Sequence, residues 1–278
     1  MLSFLQYRQT LEEQALKFNG QVKPRFGQVV FLGAGSGQGK GYVIDKMIML
    51  DAKKYDVDEI KKKIVSNPKF QEFVKKYHQD ILDDLNIDVT KLDLKNPEDV
   101  SKLHALVASS GLDKRPRQEL QRLLSSIEDN SRFPNLIFDV TFKNKAKTLG
   151  QAKELVDAGY DPKNIHIVWA INSVENALAN NRKRERSVSD EIVKASARDV
   201  ATTMRSIFDD AELQSVFNGD WYIVFSNQTG VLTKSPKGRQ IAQDYIQVKK
   251  SGQKANFGSI EAEVLERIRE LVPEGTFD

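Results

Sequence analysis

Residues 28–41 read Gln-Val-Val-Phe-Leu-Gly-Ala-Gly-Ser-Gly-Gln-Gly-Lys-Gly, and this stretch decides the fold. A short apolar strand, Val29 to Leu32, enters a loop with glycine at 33, 35, 37, 39 and 41. Lys40 stands near the loop's end, and Tyr42 to Ile48 reads as the start of a helix. Glycine lets the backbone take positive φ and bring its N–H groups close to an anion. A helix N-terminus adds unsatisfied donors and partial positive charge, and a lysine just inside it reaches terminal phosphates. Strand, glycine loop, lysine and helix in that order are the context a phosphate-binding loop requires.

Set against G-x-x-x-x-G-K-[ST], the match begins at Ala34 and ends at Gly41. Alanine in the first place is a mild change. Glycine in the last removes the hydroxyl that ordinarily ligates Mg²⁺, and Ser36 is a poorer positional substitute. The dinucleotide pattern G-x-G-x-x-G fits less well, because its last place falls on Gln38 or Lys40. The residues expected to cradle a nucleotide are therefore Gly35, Ser36, Gly37, Gln38, Gly39, Lys40 and Gly41.

Composition bounds the rest. The chain has 278 residues, 29% charged and 40% hydrophobic, with a formal net charge of +3. That charge gives no strong attraction to nucleic acid or membrane. The absence of cysteine excludes disulfides, thiolate catalysis and Cys-based zinc sites. His78, His104 and His166 show no metal-ligand spacing. No apolar run approaches the ~18 residues of a membrane span, and no signal-peptide core opens the chain, so a cytoplasmic location is expected.

Apolar spacing predicts a short amphipathic helix over 2–18, a second strand over 54–58 and a strandless helical region over 60–130. Further strands are expected at 136–140, 165–170 and 221–225. Helices are expected at 145–158, 174–186, 189–210 and 259–271, and 227–258 reads as an irregular excursion. Strands alternating with helices indicate parallel βαβ units. The expected architecture is α/β: a nucleotide-kinase-like, five-stranded parallel sheet flanked by helices in one domain spanning 1–278. Its core would be 28–60 and 131–226, with a helical insertion at 61–130 and a C-terminal extension at 227–278.

Other residues fall where such a sheet concentrates chemistry. Asp56 and Asp58 follow the second strand, where an acid can take a proton from an acceptor hydroxyl or cap the next helix. Asp139 and Thr141 end the third strand, where an acid can hold Mg²⁺ through water and a hydroxyl can contact substrate or cap a helix. Arg182, Lys183, Arg184 and Arg186 form a basic run of the kind that binds phosphate oxygens, or that simply faces solvent. On a continuous helix Arg182 and Arg186 share a face and Arg184 points away.

Together these stretches resemble the zeta toxin family of phosphate-loop kinases. The features are Ala34–Gly41, Tyr55-Asp56-Val57-Asp58-Glu59-Ile60, Phe138-Asp139-Val140-Thr141 and Arg182 to Val188 leading into Ser189-Asp190-Glu191. The resemblance covers roughly 28–60 and 135–226. It implies that Lys40 binds the β- and γ-phosphates, that Asp58 is the catalytic base, and that Arg182 and Arg186 stabilise the transferred phosphoryl group near a lid, with Arg184 competing for the first role. It assigns Asp56, Asp139, Thr141 and Arg184 to the substrate. Asp139-Val140-Thr141 stands where the family has Glu-Gly-Thr, with the acid shortened and the glycine lost. The implied reaction is γ-phosphoryl transfer from ATP or GTP with Mg²⁺, and Gly41 leaves open whether the metal is held through water by Asp56 or Asp139 or by the nucleotide alone. The acceptor would be a hydroxyl of a nucleotide sugar, a polynucleotide end or another small molecule. Nucleic acid enters only as such an acceptor, no membrane is involved, and an inhibitory protein partner is implied. Gly41 and the altered Glu-Gly pair also fit a different reading, a catalytically impaired nucleotide-binding module with a regulatory or structural role.

Overall fold

A computed structural model describes residues 15–56, 58–184, 187–226, 231–234 and 240–277. Its centre is a six-stranded sheet that runs, edge to edge, β2 (Ala52–Tyr55), β3 (Asn135–Val140), β1 (Val29–Gly33), β4 (Ile165–Ile171), β5 (Trp221–Phe225) and β8 (Tyr245–Lys249). β1 lies between β3 and β4, and parallel pairing extends to β2 and β5. Every residue of β1, β4 and β5 is buried, as expected of central strands covered on both faces. β2 has Lys53 and Lys54 exposed, the charged dressing of an edge.

The expected five parallel strands are all present. The sheet has a sixth, β8 (Tyr245–Lys249), antiparallel to β5 within the stretch read as irregular. Its Tyr-Ile-Gln-Val-Lys alternation is short and sits among glycine, serine and lysine, which masked the strand period. A hairpin of β6 (Val231–Lys234) and β7 (Gln240–Gln243) precedes it.

Period-2 alternation divides the core between the two faces. Phe31, Ile167, Trp169, Trp221 and Ile223 belong to one cluster. Helices α5 (Arg115–Ser125), α6 (Lys145–Asp157), α8 (Asp190–Ile207), α9 (Ala211–Val216) and α10 (Ala262–Leu271) add residues to it. Val30, Leu32, Val168 and Val224 face the other way, against Leu16, Phe18, Val43 and Met47. A third cluster lies within residues 60–112, where α2 (Asp58–Ser66), α3 (Pro68–Asp84) and α4 (Pro97–Ser109) enclose Ile64, Val74, Leu103 and Leu106.

Several sequence expectations shift at their ends; the second strand, expected over 54–58, runs from Ala52 to Tyr55. The helix expected over 2–18 lies mostly outside the described residues, and Phe18 instead bridges Gln21. The stretch after the glycine loop is α1 (Lys40–Tyr42) running into a π-helical turn (Val43–Met47) closed by Ile48 N–H on Val43 O. Helix α7 (Val174–Lys183) stops before Arg184, which is extended at φ −76° and ψ 155°. No helix among the described residues is long and apolar enough to cross a membrane.

At the N-terminal ends of the strands, away from the glycine loop, lies a buried polar network. His166 Nδ1 accepts the Asp220 N–H at 2.8 Å, which leaves Nε2 to donate to Gln28 Oε1 at 3.0 Å. Burial, with Lys249 nearby, holds the imidazole down at about 3, so it is neutral. Lys249 donates to Gly219 O at 2.8 Å, and burial pulls its pKa down to about 8.

Candidate active site

The C-terminal ends of the parallel strands open on a cavity of about 600 Å³. This is where open α/β sheets place ligands. β1 delivers the glycine loop to it, and the loop is held from three sides. Gln38 is buried, and its Oε1 accepts the Gly35 N–H at 2.8 Å while its Nε2 donates to Asn172 O at 3.4 Å. Ser196 of α8 accepts the Ser36 N–H at 2.9 Å, and Asn180 of α7 donates to Gly37 O at 3.0 Å. Gly37 has φ +77°, and a Cβ there would lie 2.1 Å from Ala177 O, so only glycine fits. Gly39 caps α1 in the left-handed conformation and, having no side chain, leaves the first-turn N–H groups to an outside acceptor. A Cβ on Gly41 would meet nothing within 4 Å.

Lys40 extends from that turn to Asp139, its Nζ 2.5 Å from Oδ1, with both side chains largely buried. Asp139 comes from the tip of β3, beside Leu32 of β1 in register. Thr141 also lines the cavity. Between Asp139 and the helix that follows, Phe142 takes φ +47° and buries its ring where a Cβ on Gly33 would have to be. The strained backbone there is fixed by packing on β1.

From β2 come two acids in different settings. Asp56 accepts the Asp58 N–H at 2.8 Å, which caps the start of α2. Burial raises its pKa above the ordinary carboxylate value, the nearby Asp139 raises it further, and the Asp58 N–H and Lys40 pull the other way. Asp58 pairs with the buried Lys61 at 3.1 Å, one turn along α2.

The cavity thus gathers Ser36, Lys40, Asp56, Asp58, Asp139, Thr141 and Arg184. It does not gather the whole basic run. Arg182 is exposed and pairs with Asp190 at 2.9 Å, and it lines a separate hollow. Arg186 lies outside the described residues. The helical-face argument that favoured Arg182 over Arg184 assumed a continuous helix, and α7 ends too early for it. Among residues not singled out in the sequence, Lys61, Lys143, Ser196 and, from α4 of the insertion, Ser101 and His104 also line the cavity. His104 is one of three histidines in the chain, but only the packing of the insertion brings it here.

No group of three or more acid or histidine ligands able to hold a metal occurs among the described residues. Magnesium does not need one, because it retains water and binds through one or two carboxylates together with phosphates. Asp56, its pKa raised by burial and then by the neighbouring Asp139, forms with Asp139 a donor pair that a divalent cation would relieve.

No family model matches the chain, and no curated protein does. Solved structures do match. A protein from a study of the PezAT chromosomal toxin–antitoxin system of Streptococcus pneumoniae aligns over 99% of this chain and 89% of its own, at 12% identity and TM-score 0.46. AvrRxo1-ORF1 with AvrRxo1-ORF2, in a structure with ATP, aligns over 91% and 67%, at 12% identity and TM-score 0.45. TT1252 from Thermus thermophilus aligns over 73% and 91%, at 14% identity and TM-score 0.32.

Proposed function

We propose that the chain is a zeta toxin-like kinase that binds ATP or GTP at the glycine loop and transfers the γ-phosphoryl group to a hydroxyl. One observation carries the reading. Four ammonium groups, three carboxylates and a guanidinium converge on one cavity beside a glycine-capped helix start. In this reading the first-turn N–H groups and Lys40 take the β- and γ-phosphates. Asp56 and Asp139 hold Mg²⁺, which when bound neutralises phosphate charge. Asp58, set beside Lys61, accepts the proton of the acceptor hydroxyl as its oxygen attacks phosphorus and the nucleoside diphosphate leaves. Arg184 faces the charge that builds on the transferred group. Gly41 favours a second reading, a module that binds nucleotide without transferring phosphate.

Two measurements decide between them. Calorimetry with Mg·ATP and Mg·GTP tests binding, and Lys40→Ala should abolish it. A screen of hydroxyl acceptors with γ-labelled nucleotide tests transfer. Asp58→Asn should keep nucleotide affinity and lower transfer ~10²–10⁴-fold, the usual cost of losing a general base. Binding without any labelled product would favour the second reading. Loss of transfer in Asp56→Asn with full turnover in Asp58→Asn would move the base to Asp56.

A further inference from the structure

Arg184 lies just beyond the end of α7, where nothing helical holds it. Asn181 before it, and Ser187 and Val188 after it, are nevertheless tied down. Asn181 is buried in the last turn of α7, and its side chain engages Val188 twice: Nδ2 donates to Val188 O at 2.7 Å and Oδ1 accepts Val188 N–H at 3.1 Å. Ser187 reaches the insertion, its N–H donating to Leu94 O at 3.1 Å and its Oγ to Lys95 O at 2.9 Å. Arg184 N–H itself returns to Asn181 O at 3.3 Å. These contacts place Arg184 on the wall shared by the 600 Å³ cavity and the hollow of about 440 Å³ that Arg182 lines.

A buried amide that satisfies both backbone groups of one residue fixes that residue, here Val188, against the last turn of α7. The hydroxyl of Ser187 adds a side-chain link to the 91–96 loop beside the backbone link that its N–H makes. We propose that Asn181 and Ser187 are positioning residues that hold Arg184 at the cavity, and that the insertion serves as the anchor for that arm of the site. The proposal rests on the reading in which Arg184 acts on the triphosphate.

Two readouts test it on the full chain. The first needs no activity: native-state trypsin cleavage after Arg184, followed by mass spectrometry. When reclosing is fast, cleavage follows the population of the open form. Ser187→Ala and Asn181→Ala should therefore be cut there roughly tenfold faster than wild type, the scale expected for lost hydrogen bonds. Ser187→Thr, which keeps the hydroxyl, should stay close to wild type. The second is phosphate release from Mg·ATP with water as acceptor. Ser187→Ala should lower kcat with less effect on KM, and should add nothing in an Arg184→Ala background.

Faster cleavage together with non-additive kinetics supports the proposal. Unchanged cleavage in both alanine variants overturns it, as does a fully additive kinetic cycle. If Asn181→Ala fails to fold, the surface-hydroxyl pair Ser187→Ala and Ser187→Thr decides. If wild type neither binds nor turns over Mg·ATP, the kinase reading fails, and the cleavage rates alone decide the anchoring.

Discussion

Lys40 is already occupied before any anion arrives, because Asp139 holds its ammonium. A triphosphate must displace that carboxylate or share the lysine with it. Removing the competition by Asp139→Asn should strengthen Mg²⁺-free binding of ATP about fivefold, equivalent to about 1 kcal/mol for a partly exposed pair. The same variant should weaken the dependence of turnover on Mg²⁺. Titration calorimetry with and without the metal checks both signs, and tighter Mg²⁺ dependence would contradict the assignment of Asp139. Two glycines of the loop make the opposite contrast. Gly37→Ala combines positive φ with a clash against Ala177 O and should cost about 1–3 kcal/mol in a urea melt, with loss of nucleotide binding. Gly41→Ala has open space and a helical position, so it should be neutral or stabilising by up to about 1 kcal/mol. A protein that tolerates both equally would not hold its loop against α7 as described. His166 carries the pH dependence. Its imidazole is neutral when folded down to about pH 3, whereas the unfolded side chain protonates near its ordinary value. The unfolded state therefore binds the extra proton between those limits, and stability should fall as pH drops from 6.5 toward 3. Denaturant midpoints measured across that window should show the loss, and His166→Gln should flatten it.

At the scale of elements, the glycine loop and the strands were legible because each carries its signal locally. Val29–Gly33, Asn135–Val140 and Ile165–Ile171 are apolar runs bounded by turn residues, and their ends carry the polar groups that meet in the cavity. Asp56 and Asp139 could be named from their places at strand ends. Helix ends were less legible. Nothing in Arg182-Lys183-Arg184 announces that the helix stops at Lys183, since all three residues propagate a helix equally well. The end coincides with Asn181 binding Val188, seven residues on, a contact that those three residues do not announce. β8 was missed because its five residues of weak alternation do not outweigh the polar and glycine-rich residues around them.

For the whole molecule, the contribution of the insertion to the cavity was the least legible part. Ser101 and His104 reach the site only because α2, α3 and α4 pack around their own centre, which brings α4 to the cavity. That separate centre also divides the molecule's spectroscopic signals. Both tryptophans, Trp169 and Trp221, sit in the sheet's main cluster, and none lies in the insertion. A Leu103→Ala change, expected to cost about 2–5 kcal/mol for a buried leucine, therefore strikes helices that the indole fluorophores do not watch. On heating, far-UV ellipticity of that variant should begin to fall several degrees before tryptophan emission shifts, while in the wild type the two traces lie closer together. Superimposed traces in the variant would show that the bundle and the sheet melt as one unit. Split traces would make the native indoles a label-free marker of the sheet alone, against which every loss of helix in the insertion can be timed.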